Sequence, residues 1–264
     1  MEIKLYQVDA FTSRVFGGNP AAICPLDQWL PDATMQSIGN ENNLAETAFL
    51  VPNGDRFHLR WFTPELEIDL CGHATLASAF VVFTHLRPDL QQVAFDTKSG
   101  ELIVKRGDAG LLSMDFPSRP PEPGASDSRL RQALGGKAGA ILISRDYLVV
   151  YESEEEVRAL KPDMNALAQM DRMVIVTAPG RNVDFVSRFF APSSGVPEDP
   201  VTGSAHCTLI PYWADRLGKT RLHALQVSRR GGELWCELQG NRVIMAGYAV
   251  EFMQATISMD SEKL

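Results

Sequence analysis

Apolar positions along the chain alternate or run in stretches of strand length, and turn residues cut those stretches apart. The opening run "IKLYQVDAF" predicts a strand that ends at a loop over 11–19. There Gly17, Gly18, Asn19 and Pro20 turn the chain before "AAICPL". Residues 32–42, "DATMQSIGNEN", predict a helix with Asp32 as its N-cap. "ETAFLVP" and "RFHLRWFTP" read as strands, each closed by a proline. The stretch 72–86 then lacks any breaker and sets Leu76, Ala79, Phe80 and Phe83 at helical spacing. It is apolar nearly all round, which predicts a buried helix rather than a surface one. Three more strands follow in "QQVAFDT", "GELIVKR" and "GLLSMDF".

The second half repeats this order. "AGAILISRDYLVVYE" reads as two strands around a turn at Arg145 and Asp146; "MVIVTAP" and "VDFVSRFFAP" are strands; a mostly apolar helix runs from Gly203 to about Arg216. "LHALQVSRR", "GELWCELQ" and "RVIMAGYAV" close the set. "RWFTP" (60–64) falls on "RFFAP" (188–192), Gly72 on Gly203 and "SGEL" (99–102) on "GGEL" (231–234), at offsets of 128, 131 and 132 residues. In that alignment the residue opposite Cys71 is read as Pro200. The expected architecture is α+β: two pseudo-symmetric lobes, each a β-barrel-like sheet around a central helix. The Pro-, Ser- and Gly-rich stretch 117–128 reads as the linker. The expected domains are therefore 1–117 and 118–249, with the C-terminal strand, about 250–264, packing back onto the first. A cleft between such lobes is a common place for a small-molecule site.

Composition narrows the function. The 264 residues carry a formal charge of -8, with no run of Lys and Arg, which excludes a nucleic-acid or anionic-membrane partner. No stretch approaches the roughly 18 apolar residues of a spanning helix, and "MEIKLYQVDAF" has no signal-peptide core, so a soluble, cytoplasmic protein is expected. Cys24, Cys71, Cys207 and Cys236 are scattered and fit reduced, buried thiols better than a metal knuckle or a disulfide framework. Phosphate-loop, dinucleotide, zinc-protease and serine-elbow motifs are absent, so no cofactor and no metal is implied.

The two helix starts bring Gly72 and Gly203, followed by small residues, to the positive ends of buried helices. Such an end holds a carboxylate on backbone N–H groups, or is simply a cap packed tightly. Acid–base candidates are Glu46 in "ENNLAETAFL", His73 at the first helix start and Asp199 in "PEDPVTGSA". Their plain readings are an exposed loop Glu, a first-turn His bonded to backbone and an N-cap.

Together "VDAFTSRVFGGNPAAI", "NNLAETAFL", "LRWFTPELEIDLCGHATLASA" and "EDPVTGSAH" resemble the phenazine-biosynthesis PhzF-like isomerases along nearly the whole chain, weakest over 117–170. The resemblance implies the diaminopimelate-epimerase fold with its site between the lobes. It makes Glu46 the acid/base, His73 and Asp199 active-site residues, and Asn19, Gly72, Ala74, Gly203 and Ser204 substrate-binding positions. It also implies a homodimer and a small anionic substrate; the best-understood member moves a proton across a conjugated dihydro-hydroxyanthranilate ring. Related two-cysteine racemases place a thiol before each helix start, whereas here only Cys71 is present. The rival readings are an amino-acid epimerase using Cys71 with a carboxylate, and a non-catalytic binding or interaction protein on the same scaffold.

Overall fold

The computed structural model describes residues 1–125 and 127–259. It divides into two compact units, Met1–Asp115 with Ala246–Leu264, and Phe116–Met245. The chain order is β1 (Glu2–Ala10), β2 (Asn19–Pro25), α1 (Asp32–Asn42), β3 (Glu46–Asn53), β4 (Arg56–Phe62), β5 (Glu67–Ile68), α2 (Gly72–Val81), β6 (Gln92–Thr97), β7 (Gly100–Arg106) and β8 (Leu112–Pro117). It continues through β9 (Glu122–Pro123), α3 (Ser128–Leu134), β10 (Ile141–Ile143), β11 (Tyr147–Val150), α4 (Glu154–Ala159), α5 (Met164–Leu167), β12 (Val174–Pro179) and β13 (Phe185–Ala191). Then come β14 (Val196–Asp199), α6 (Gly203–Leu217), β15 (Arg221–Gln226), β16 (Gly232–Gln239), β17 (Arg242–Gly247) and β18 (Ala249–Ser258).

The repeat read from sequence is present in the strand pairings. In the first unit β1 and β2 are antiparallel, β2 and β3 parallel, β3 and β4 antiparallel, β4 and β6 parallel, β6 and β7 antiparallel. In the second the same series runs β10–β11, β11–β12, β12–β13, β13–β15, β15–β16. A matched ion pair marks the register of each copy. Arg60 meets Glu67 with both arms (Nε to Oε1 2.7 Å, Nη2 to Oε2 2.9 Å), and Arg188 meets Glu198 likewise (2.7 and 3.0 Å). From Glu67 to Gly72 and from Glu198 to Gly203 is the same number of steps, so the residue opposite Cys71 is Thr202, not Pro200. Each is the N-cap of its helix.

Helix α2 is buried as its pattern predicts. Its first turns are nearly all small residues, and it packs on β1, β2 and β3. The Thr75 and Ser78 hydroxyls donate back to Cys71 O (2.5 Å) and Ala74 O (2.7 Å), so a helix covered on all sides leaves neither hydroxyl unsatisfied. Leu76 is fully enclosed, and its truncation to Ala would cost about 2–5 kcal/mol. The uninterrupted helix expected over 72–86 instead widens into a π turn at Val82–Leu86. Arg87 N–H closes on Val82 O at 2.7 Å, and Pro88 then forbids continuation. Asp32 is not the cap of α1. Pro31 holds that place, Asp32 is the first helical residue, and its carboxylate is taken by Arg60 at 2.9 Å.

Three helices of the second unit were not expected: α3, α4 and α5, capped by the side chains of Asp127, Ser153 and Asp163. The stretch 117–128 is not a free linker either. Ser118 N bonds Asn241 O, Arg119 N bonds Cys207 O, and β9 pairs with β10. Strand β18 lies antiparallel to β1 from Ala249 opposite Ala10 to Ser258 opposite Glu2. Residues 260–264 of the expected C-terminal strand, and Ser126 of the expected linker, lie outside the described residues. No helix among the described residues is long and apolar enough to cross a membrane.

Candidate active site

In the first unit three backbone elements bring Asn19, Glu46, Cys71 and His73 together. Asn19 opens β2 and Glu46 opens β3, its parallel neighbour, with Ala21 opposite Glu46. The turn before Asn19 needs a glycine. Gly18 has φ +60°, and a Cβ there would stand 2.1 Å from Ala10 O, so only the bare backbone lets Asn19 swing inward. His73 is carried by the first turn of α2, directly after Cys71 and Gly72.

The imidazole is the hub. Its Nδ1 lies 3.1 Å from Asn19 Nδ2 and 3.5 Å from Cys71 Sγ. Its Nε2 lies 3.0 Å from Glu46 Oε2. That last pair sits off the line of a hydrogen bond, so the oxygen and nitrogen are in contact yet each still has a polar direction to fill. The side chains are nearly closed off, 6% exposed at His73 and 15% at Glu46, and Asn19 is fully enclosed. Burial alone would lower the His73 pKa; the adjoining Cys71 and the Glu46 carboxylate outweigh it and hold the imidazole well above its ordinary value. The Cys71 pKa is raised as well: burial, with the Glu46 charge adding to it, pushes the thiol up to about 11 and keeps it protonated. Gly72 and the buried Ala74 complete the helix start, and α2 has no side-chain cap.

The second unit gathers Asp199, Thr202, Gly203 and Ser204 around the start of α6, which also lacks a side-chain cap. Thr202 Oγ1 donates to Asp199 Oδ2 at 2.5 Å. The buried Gln226 locks this corner, accepting from Thr202 N (2.9 Å) and donating to Asp199 O (2.8 Å). Ser204 Oγ accepts from Arg145 Nη2 at 2.8 Å, and the same guanidinium is held by the buried carboxylate of Asp146 at 2.9 Å. His206 is enclosed and neutral, its pKa lowered to about 4 by burial, with Nδ1 set against Thr202 O at 2.8 Å.

The sequence-derived residues thus fall into two sets. Asn19, Glu46, Gly72, His73 and Ala74 share one place in the first unit; Asp199, Gly203 and Ser204 share one in the second. Reading by residue type missed Arg145, Thr202 and Gln226. Arg145 showed only as part of a turn, 59 positions from Ser204. Thr202 could have been found by carrying the Glu67-to-Cys71 spacing across to Glu198. A groove of about 620 Å³ between α1 and the end of β18, lined by Ser37, Glu41 and Ile257 among others, contains none of these residues. Among the described residues the one group able to offer three metal donors is Glu46, Cys71 and His73, whose donor atoms lie within 4.8 Å of one another.

A family model described as phenazine biosynthesis-like protein matches residues 8–255. An uncharacterised isomerase of Pseudomonas aeruginosa is 55% identical over 252 residues, covering 95% of this chain and 96% of its own length. A crystal structure of a phenazine biosynthesis PhzF family protein from Enterococcus faecalis superposes with a TM-score of 0.96 at 48% identity, over 98% of this chain and 100% of that one. A hydroxyproline epimerase from Agrobacterium vitis shares the fold at a TM-score of 0.62 and 10% identity, over 98% of this chain and 93% of that one.

Proposed function

The chain belongs to the phenazine biosynthesis-like family and is an isomerase of that family; from that premise we propose that it moves a proton between carbons of a small carboxylated substrate, with Glu46 as the acid/base. The observation that carries this reading is the nearly closed contact of Glu46 Oε2 with His73 Nε2 at 3.0 Å. A carboxylate can pull a proton from carbon only if it is kept ionised, desolvated and aimed. The raised pKa of His73 supplies a cationic neighbour, and the start of β3 supplies the fixed position.

In the proposed step the Glu46 carboxylate takes the proton from an activated C–H bond. The electron pair stays in the conjugated system of the substrate, and the same carboxyl group returns the proton to a different carbon. Nothing is consumed, and no cofactor enters the balance. Charge that builds on the substrate is met by the His73 imidazolium and by the positive end of helix α2 at Gly72. Asp199, Gly203 and Ser204 are further proposed substrate-binding residues, with Arg145 presenting a positive charge beside Ser204.

Against the rival epimerase using Cys71 with a carboxylate stands the Cys71 thiol, pushed by burial to about 11, far from a useful base at neutral pH. A two-thiol mechanism is disfavoured further because the matching N-cap is Thr202. A panel of cyclic and aromatic acids incubated in deuterated water, read by mass spectrometry, identifies the substrate. Exchange that survives unchanged in Glu46→Gln would remove Glu46 from the mechanism. Exchange lost in Cys71→Ser but kept in Glu46→Gln would restore the epimerase reading.

A further inference from the structure

Two arginines of the second unit stand together beside α6, and most of their hydrogen-bonding capacity is unused. Ser204 and Cys207, three residues apart, are neighbours on one face of that helix, with Cβ atoms about 5–6 Å apart. Arg145 reaches the first of them, its Nη2 donating to Ser204 Oγ at 2.8 Å. Arg119 is tied to the second, its backbone N–H donating to Cys207 O at 2.9 Å. Ser144, the residue before Arg145, closes the triangle by donating from Oγ to Arg119 O at 3.2 Å. Burial pushes the Cys207 thiol up to about 11; among the charges that pull it back Arg119 comes first and Arg145 second, so both guanidiniums stand close to that sulfur.

The pairing of these cations is incomplete. Arg145 engages Asp146 and Ser204 through Nε and Nη2, and its Nη1 arm has no partner among the described residues. The half-buried Arg119 guanidinium has neither a hydrogen bond nor an ion pair among the described residues. Nearby charges are already engaged: Arg172 pairs with Asp171 at 3.6 Å, and the Asp199 carboxylate takes its bond from Thr202. Two like charges set side by side repel, and an anion lying across the two free forks removes that repulsion.

We propose that Arg119 and Arg145 hold a carboxylate between them, and that this carboxylate is a second acidic group of the substrate, so that the preferred substrate is a small di-acid. The anion site stands on the two arginines; its link to the substrate rests on the reading of Ser204 as a substrate-binding residue given above. Charge balance selects the anion. Arg119 and Arg145 set against Asp146 leave one positive charge, which a carboxylate neutralises, whereas a phosphate group brings about -1.5 to -2. The planar fork of each guanidinium matches the two oxygens of a carboxylate.

Benzoate and the benzenedicarboxylates are the probes, titrated calorimetrically into the full chain at low salt. At least one dicarboxylate should bind at least tenfold tighter than benzoate, and sodium chloride should shrink that ratio, because the Arg145 side chain is 42% exposed. Arg119→Gln strands no partner and should bring the ratio below threefold. Arg145→Lys keeps a cation for the buried Asp146 but loses the fork, and should lower the ratio at least threefold. Arg221→Gln removes an equal charge from a side chain 84% exposed and should leave the ratio as it is. Should Arg119→Gln not fold, as judged by circular dichroism, Arg119→Lys takes its place in the same comparison. A wild type with no dicarboxylate advantage, or an advantage kept in the folded Arg119 variant, overturns the site. For the substrate found by deuterium exchange, Arg119→Gln should raise KM at least tenfold with kcat within threefold of wild type. A mono-acid substrate, or a fall in kcat with KM unchanged, overturns the link to the substrate and leaves the Glu46 reading untouched. Exchange retained in Glu46→Gln beside an intact dicarboxylate advantage removes the Glu46 reading and leaves this site standing.

Discussion

The paired Arg–Glu contacts offer a test in which the repeat supplies its own control. Arg60 and Arg188 occupy equivalent places, yet their surroundings differ. Glu67 has a second cation in Lys98, at 2.6 Å, so loss of Arg60 leaves its carboxylate still paired. Among the described residues Glu198 has no other cation, and Arg188 also donates to Val157 O (3.1 Å) and Leu160 O (2.9 Å), tying α4 to β13. Both pairs are mostly covered, with side-chain exposures of 18% and 16% at Arg60–Glu67 and 12% and 22% at Arg188–Glu198. Removing one partner of a covered pair costs about 3–5 kcal/mol when the other is stranded. Arg188→Met should therefore cost about 3–4 kcal/mol once the residual exposure is allowed for. Arg60→Met should cost about 1–2 kcal/mol, because Lys98 remains and Asp32 is exposed. Denaturant titration of both variants, followed by circular dichroism, measures the difference. An Arg60→Met variant as damaged as Arg188→Met would show that the count of stranded groups does not set the cost.

Asn19→Leu, which empties the contact at Nδ1, should lower kcat with KM nearly unchanged if Asn19 steadies His73; a large rise in KM alone would return Asn19 to direct substrate binding. Acid titration should reveal Glu67: its folded pKa is lowered to about 2, chiefly by hydrogen bonding to Arg60, so its contribution is complete above about 4.5 and lost as pH falls toward 2. In Glu67→Gln that part of the acid loss should vanish. His73 has the opposite sign: its folded pKa is raised, so its contribution is complete below about 6.5 and lost as pH rises through the folded value, and nitrogen NMR of the ring should find it protonated at neutral pH.

How much of this was legible beforehand differs by element. The long strands and the two central helices declared themselves through uninterrupted apolar runs between glycines and prolines, and the repeat through "RWFTP" and "RFFAP". The short helices α3, α4 and α5 were missed although Asp127, Ser153 and Asp163 are ordinary cap residues, because polar stretches such as 153–156 carry no apolar period to mark a helix. The stretch 117–128 looked like a linker by composition, but its backbone is held by Asn241, Cys207 and Ile141, partners too distant in sequence to be seen. Within the candidate site, Glu46 and His73 were found by position and type. The 3.0 Å contact between them, the turning-in of Asn19 and the Arg145–Ser204 bond depend on how strands pair, and one-dimensional spacing does not encode that.

The central claim is that a single carboxylate, Glu46, carries the proton. The measurement that bears on it most directly is solvent-deuterium incorporation into the identified substrate by wild type and Glu46→Gln, each paired with a binding titration of the same ligand. Glu46→Gln should bind within a few-fold of wild type while incorporation falls by at least a thousandfold. Incorporation persisting at a comparable rate in a folded, ligand-binding Glu46→Gln would contradict it.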